Sequence, residues 1–125
     1  MTENRSIHSR ALPNYAQAEI PQSKLEEYVL NPFHNDGKHK ARLFKSILGF
    51  EQADWEALKH RILGELPYSE ARPSEAGPWG QKYVVLLQII GLNNNVANVR
   101  TVWIIRPSTD FPSFVTALVE RGEHD

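Results

Sequence analysis

The hydrophobic pattern of this chain changes period half-way along. Up to Leu66, apolar residues recur at steps of three and four: Leu25, Tyr28 and Val29, then Ala41, Phe44, Ile47 and Leu48, then Trp55, Leu58, Ile62 and Leu66. Such spacing puts one apolar stripe on each of three short helices. From Tyr83 onward the apolar residues come instead in strand-length, β-branched runs bounded by Gly, Asn and Pro. Helices first and an antiparallel meander after is the α+β arrangement. The expected architecture is two to three N-terminal helices packed on a C-terminal antiparallel sheet of three to four strands.

Local signals place the boundaries. Pro21 suits the first turn of a helix, and Asn31-Pro32 closes it. Lys38 to Leu48 forms the second helix, with Gly49 as the residue beyond its end. In the third, Glu51, Asp54 and Glu56 precede Lys59, His60 and Arg61, an order that complements the helix dipole. Gln81 to Ile90 and Val96 to Arg106 form a hairpin around Gly91 to Asn95, and Phe114 to Val119 adds a third strand. Pro67 to Gly80, with three Pro and two Gly in 14 residues, reads as a loop between the halves. Residues 1–13 read as a flexible arm, 14–120 as a single α+β domain and 121–125 as a charged tail.

Composition removes several function classes. The 125 residues contain no Cys, which excludes disulfides, thiolate metal sites and a cysteine nucleophile, and fits residence in the cytoplasm. The longest apolar run, Tyr83 to Leu87, falls far short of the roughly 20 residues of a membrane helix, so no membrane partner is expected. Neither HxxxH nor HExxH spacing occurs, nor a Walker loop, GxGxxG or GxSxG, so no metal and no cofactor is expected.

The chain carries 14 Lys and Arg against 15 Asp and Glu, but the two signs are segregated. Between His34 and Lys45, the four cations Lys38, Lys40, Arg42 and Lys45 face Asp36 alone, accompanied by His34 and His39. Lys38, His39 and Lys40 fall in the first turn of a helix, where the dipole already favours an anion and cations are locally unfavourable. Two readings are open: a phosphate site with a histidine able to exchange protons near neutrality, or a solvated helix start with His39 simply exposed. Alternation along Val96 to Arg106 puts Arg100, Val102, Ile104 and Arg106 on one face and Val99, Thr101, Trp103 and Ile105 on the other. Arg100 near the strand middle either meets a phosphate or carboxylate ligand or closes an ion pair with one of the Glu residues. Trp103 either stacks a base or belongs to the core. If the chain binds a polyanion, the basic segment and Arg100 should converge on one surface.

Several short strings occur in order: Asn14-Tyr15, Ile20-Pro21, Lys24-Leu25, Tyr28-Val29-Leu30-Asn31-Pro32, Gly37-Lys38-His39-Lys40-Ala41-Arg42-Leu43-Phe44 and Leu48-Gly49-Phe50. They continue as Tyr83-Val84-Val85, Val99-Arg100-Thr101-Val102-Trp103 and Pro112-Ser113-Phe114-Val115-Thr116. Together they resemble a family of small bacterial domains of uncertain function, found beside a small partner gene and as C-terminal domains of polymorphic toxins. That family looks like part of the barnase/EndoU/colicin/RelE-like RNase superfold. The resemblance implies a metal-independent endoribonuclease toxin, cleaving RNA by attack of the ribose 2′-OH and controlled by a cognate antitoxin or immunity protein. It implies His39 as the acid/base group, Lys40 and Arg100 as phosphate stabilisers and Thr116 or Thr101 as a hydrogen-bond donor. His34 would be a second proton carrier if the Phe33 to Gly37 turn folds over the site, and the expected substrate contacts are His34, Lys38, Arg42, Thr101, Trp103 and Arg106. The alternative is a non-catalytic module that binds protein or nucleic acid within a toxin-antitoxin-like pair.

Overall fold

The computed structural model describes residues 5–120. Helix α1, Gln22–Lys24, runs without a break into a wider π-helical turn, Leu25–Val29, and is followed by α2, Lys38–Leu48, and α3, Trp55–Glu65. Four strands, β1 (Ala71–Gly77), β2 (Gly80–Ile90), β3 (Val96–Ile105) and β4 (Ser113–Val119), form one antiparallel sheet in the order β1-β2-β3-β4. The α+β arrangement therefore holds, with three helices N-terminal to a four-stranded meander.

Helix ends follow the chemistry of their residues. Gly49 closes α2 in the left-handed conformation (φ 78°) that a Cβ disfavours. Before α3, the Glu51 and Asp54 carboxylates each accept the other's backbone N–H, a capping box that satisfies two helix-start donors. Phe44 and Leu48 of α2 and Leu58 and Ile62 of α3 then sink fully into the core.

The sheet meets them with Val85, Leu87 and Ile89 of β2, Val99, Thr101 and Trp103 of β3, and Phe114, Ala117 and Val119 of β4. β2 and β3 pair without interruption from Gln81↔Ile105 to Ile90↔Val96, which keeps the alternation of both strands in phase. Between β3 and β4 the register shifts, from Val102↔Thr116 to Trp103↔Phe114, leaving Val115 as a bulge.

β1 corrects the expected loop between residues 67 and 80. It is an edge strand in which Ala71 pairs with Val85, and its outward N–H donates to the Arg10 carbonyl at 2.8 Å. Two residues on, the same outward position is Pro73, whose missing N–H costs nothing at a sheet edge. The residues that read as loop punctuation are thus compatible with a strand there. Residues 5–13, expected as a flexible arm, are docked. Arg5 makes two hydrogen bonds to the Glu65 carboxylate, His8 N–H donates to the Pro67 carbonyl, and Leu12 is fully buried. Further on, Glu19 bridges to Ser113 and accepts the Phe114 N–H at the β4 edge. The expected charged tail at 121–125 lies outside the described residues. No helix among the described residues is long and apolar enough to cross a membrane.

Candidate functional site

The turn between α1 and α2 is built by side chains that bond to nearby backbone. Asn31 Oδ1 accepts the Phe33 N–H at 2.9 Å, and His34 Nδ1 accepts the N–H groups of Asp36 and Gly37, each at 3.0 Å. With its Nδ1 lone pair so used, the His34 imidazole keeps its proton on Nε2. The Lys38 N–H donates to the His34 carbonyl at 2.9 Å, so one residue satisfies three donors at the start of α2. Gly37 then passes directly against the Tyr28 backbone: a Cβ there would collide with the Tyr28 carbonyl. This close approach brings the first turn of α2 onto Tyr28.

Four polar side chains converge on that phenol. The His34 ring lies edge-on to the Tyr28 ring, with centroids 5.0 Å apart, and Lys40 Nζ sits 5.2 Å from the ring centroid. The Thr116 hydroxyl donates a long hydrogen bond, 3.4 Å, to the Tyr28 oxygen from the edge strand β4. Asp36 adds a nearby negative charge. The Tyr28 phenol is held below the usual tyrosine range, first by the Thr116 hydrogen bond and then by the hydrogen bond and charge of Lys40; partial burial and Asp36 pull the other way.

The remaining basic residues of α2 occupy its other flank. Lys38 and Arg42 each lie two residues from Lys40, hence roughly 160° away around the helix. With His39, Lys45, Pro32, Phe50 and Glu51 they line a separate concavity of about 490 Å³. Among the described residues, Lys38, Lys40, Arg42 and Lys45 make no ion pair with a carboxylate.

β3 does not join either group. Arg100 points from the face of the sheet opposite the core and pairs with Glu120 at 2.6 Å, beside a cavity of about 680 Å³ that also holds Arg72 and Glu70. The expected convergence of Arg100 with the basic segment is therefore not met, because α2 packs on the other face of the sheet. Thr101 is buried, donates to the Val85 carbonyl at 2.8 Å and accepts from Trp103 Nε1 at 2.8 Å. Trp103 is likewise buried, edge-on to Phe114 at 5.4 Å. Neither presents a surface to a substrate, which corrects the sequence-based substrate contacts at these two positions. Arg106 falls just beyond β3 and is exposed.

The family model described as a domain of unknown function, DUF6883, matches residues 11–121. The chain belongs to this family. No curated protein matches this DUF6883 chain significantly. A solved chain titled as part of a contact-dependent growth inhibition toxin – immunity protein complex from Klebsiella pneumoniae 342 shares its fold, with a TM-score of 0.63 at 11% identity. The match covers 86% of this chain and 97% of that one.

Sequence reasoning brought His34, Lys40 and Thr116 forward but missed the residue at their centre. Tyr28 reads as one apolar position of an amphipathic helix, and its hydrogen-bond partner Thr116 is 88 residues away. The only local signal is that Tyr28 shares a short segment with Gly37 and the basic run, which spacing alone cannot convert into contact.

Proposed function

We propose that this DUF6883 domain is a toxin-type endoribonuclease, held in check by a partner protein, that cleaves RNA without a metal at the Tyr28 cluster. The observation that carries the reading is the grouping at Tyr28, whose phenol accepts a hydrogen bond from the Thr116 hydroxyl while the Lys40 ammonium lies over its ring and the His34 imidazole stands edge-on to it. As phenolate, Tyr28 takes the proton from the ribose 2′-OH while that oxygen forms a bond to phosphorus. The bond from phosphorus to the 5′-oxygen breaks, and Lys40 supplies the proton to the leaving oxygen, giving a 2′,3′-cyclic phosphate and a 5′-hydroxyl. His34 Nε2–H and the Thr116 hydroxyl donate hydrogen bonds to the phosphate oxygens, where negative charge grows in the transition state. In this assignment His34 is a donor and not the second proton carrier, because its Nδ1 is committed to two backbone N–H groups.

Lys38, His39, Arg42 and Lys45 on the adjoining flank serve as contacts for neighbouring phosphates. Arg100, paired with Glu120 on the opposite face of the sheet, does not converge with the basic segment as a polyanion site was expected to show, so the reading rests on the Tyr28 cluster and the α2 cations alone and gives Arg100 no part in the chemistry. The fold shared with a chain of a toxin–immunity complex supports the toxin setting and the partner protein. The test is incubation of the purified, folded protein with RNA in the presence of EDTA. Cleavage to cyclic-phosphate ends, lost in Tyr28→Phe, is the expected result; intact RNA from folded, partner-free protein sinks the reading. Binding without turnover would favour the non-catalytic module.

A further inference from the structure

Phe33 stands out among the large apolar residues of the described chain. It is 87% exposed, whereas the next most exposed, Val96, Ile90 and Ile7, lie between 52% and 56%. Its position is fixed and not frayed: its N–H is held by the Asn31 side chain, and the next residue, His34, is pinned by two hydrogen bonds and packed on Tyr28. The turn therefore holds an aromatic ring in water on a rigid mount, and Phe33 takes no part in the core cluster. Other exposed apolar residues do not surround it. Leu86, Ile90, Leu92 and Val96 belong to the β2–β3 hairpin.

The residue after Phe33, His34, packs on Tyr28 beside Lys40, and the residue before it, Pro32, borders the concavity lined by Lys38, His39, Arg42 and Lys45 together with Glu51. A solitary aromatic whose chain neighbours adjoin these cations is unlike the charge-depleted core of a protein interface. It is what a single-stranded nucleic acid requires, since each nucleotide offers a π-face for stacking and an anionic phosphate on each side. The geometry points to Phe33 as the stacking platform for one base of a single-stranded RNA, whose flanking phosphates lie at the Tyr28 cluster and on the basic flank of α2. Phe33 thereby makes the enzyme select an unpaired nucleotide at the cleavage point, because a base within a duplex has no free face to stack. This inference rests on the proposed function for the chemistry at the phosphate, but the binding it describes is measured apart from cleavage.

The test uses a fluorescently labelled, 2′-O-methylated oligoribonucleotide, which lacks the attacking hydroxyl and cannot be cleaved by this route. Wild-type protein, Phe33→Ala, Phe33→Leu and Phe33→Trp are compared at one salt concentration, with unchanged thermal unfolding as the check that each is folded. Phe33→Ala and Phe33→Leu should weaken binding about tenfold or more, the order expected for one lost base stack. Phe33→Trp should bind as tightly as wild type, with its indole fluorescence quenched by the oligonucleotide. Single abasic substitutions scanned along the oligonucleotide should include one position where wild type loses affinity and Phe33→Ala does not. Equal affinity of Phe33→Ala and wild type overturns the inference, as does wild-type affinity in Phe33→Leu. So does a defect of Phe33→Ala confined to binding a protein partner. If the oligonucleotide result stands while natural RNA remains uncut in EDTA, the stacking site survives and the catalytic reading fails. If RNA is cut but Phe33→Ala binds normally, the reverse holds.

Discussion

Strand β3 and the start of helix α2 are both rich in residues that do chemistry, yet the fold treats them in opposite ways. In β3 the polar groups are consumed by one another and by nearby strands: Arg100 by Glu120, the Trp103 indole N–H by Thr101, and the Thr101 hydroxyl by the Val85 carbonyl. At the start of α2 the backbone needs are met by His34 Nδ1 and the Asn31 side chain. That leaves the Lys40 ammonium and the His34 ring gathered on Tyr28. The difference teaches that a functional residue type is a candidate only until its partners are counted. A charge already neutralised by the fold holds strands together; a charge without a carboxylate partner is available to a ligand.

This contrast can be broken from either side. The largest effect belongs to β3: Trp103→Ala should lower stability by about 3–5 kcal/mol, measured by denaturant unfolding, because it opens a large cavity in the core. A Trp103→Ala protein that remains as stable as wild type but cannot bind RNA would reverse the assignment. Next is Tyr28→Phe, which should reduce RNA cleavage by about a hundredfold or more. Its melting temperature should stay close to that of wild type, since the losses are the long Thr116 hydrogen bond and the Lys40 interaction while the ring itself is kept.

The lowered phenol predicts a pH effect with a definite sign. Because ionised Tyr28 is favoured in the folded state, its contribution to stability is present above the unfolded value of 10.0 and is lost as pH falls through the lower folded value. Its phenolate absorbance should therefore appear below the usual tyrosine range, and the cleavage rate should rise through the same pH interval. Thr116→Val should move both upward together, since the Thr116 hydrogen bond is the largest cause of the shift. A rate profile that ignores Thr116→Val separates the phenol from the chemistry. The smallest effect is that of Arg100→Ala. Breaking its half-exposed pair with Glu120 should cost no more than about 1 kcal/mol and leave cleavage unchanged.

The boundaries of α2, its closing Gly49 and the in-phase pairing of β2 with β3 were all legible, because local periodicity and turn chemistry decide them. β1 was not, since an edge strand bonded on one side tolerates Pro73 and Gly77, the same residues that end a central strand. The candidate site was half legible. Its basic run and His34 announce themselves by charge, and the ion-pair reading of Arg100 and the core reading of Trp103 were open from the start. Tyr28 was hidden because what changes its acidity comes from a threonine at the far end of the chain and a lysine one helix later. The division of the basic run between two flanks of α2 was readable in principle, since the two-residue steps from Lys40 to Lys38 and Arg42 already imply it.

The backbone contacts of Arg10 with Ala71 and of Glu19 with Ser113 and Phe114 lie at opposite margins of the sheet. Across four strands those margins stand roughly 14 Å apart, so residues 10–19 act as a strap thrown from one side to the other. While the strap is fastened, neither edge presents a full row of free backbone groups to a neighbouring molecule. Its release would free both at once, making the earliest part of the chain the guard against self-association of the last.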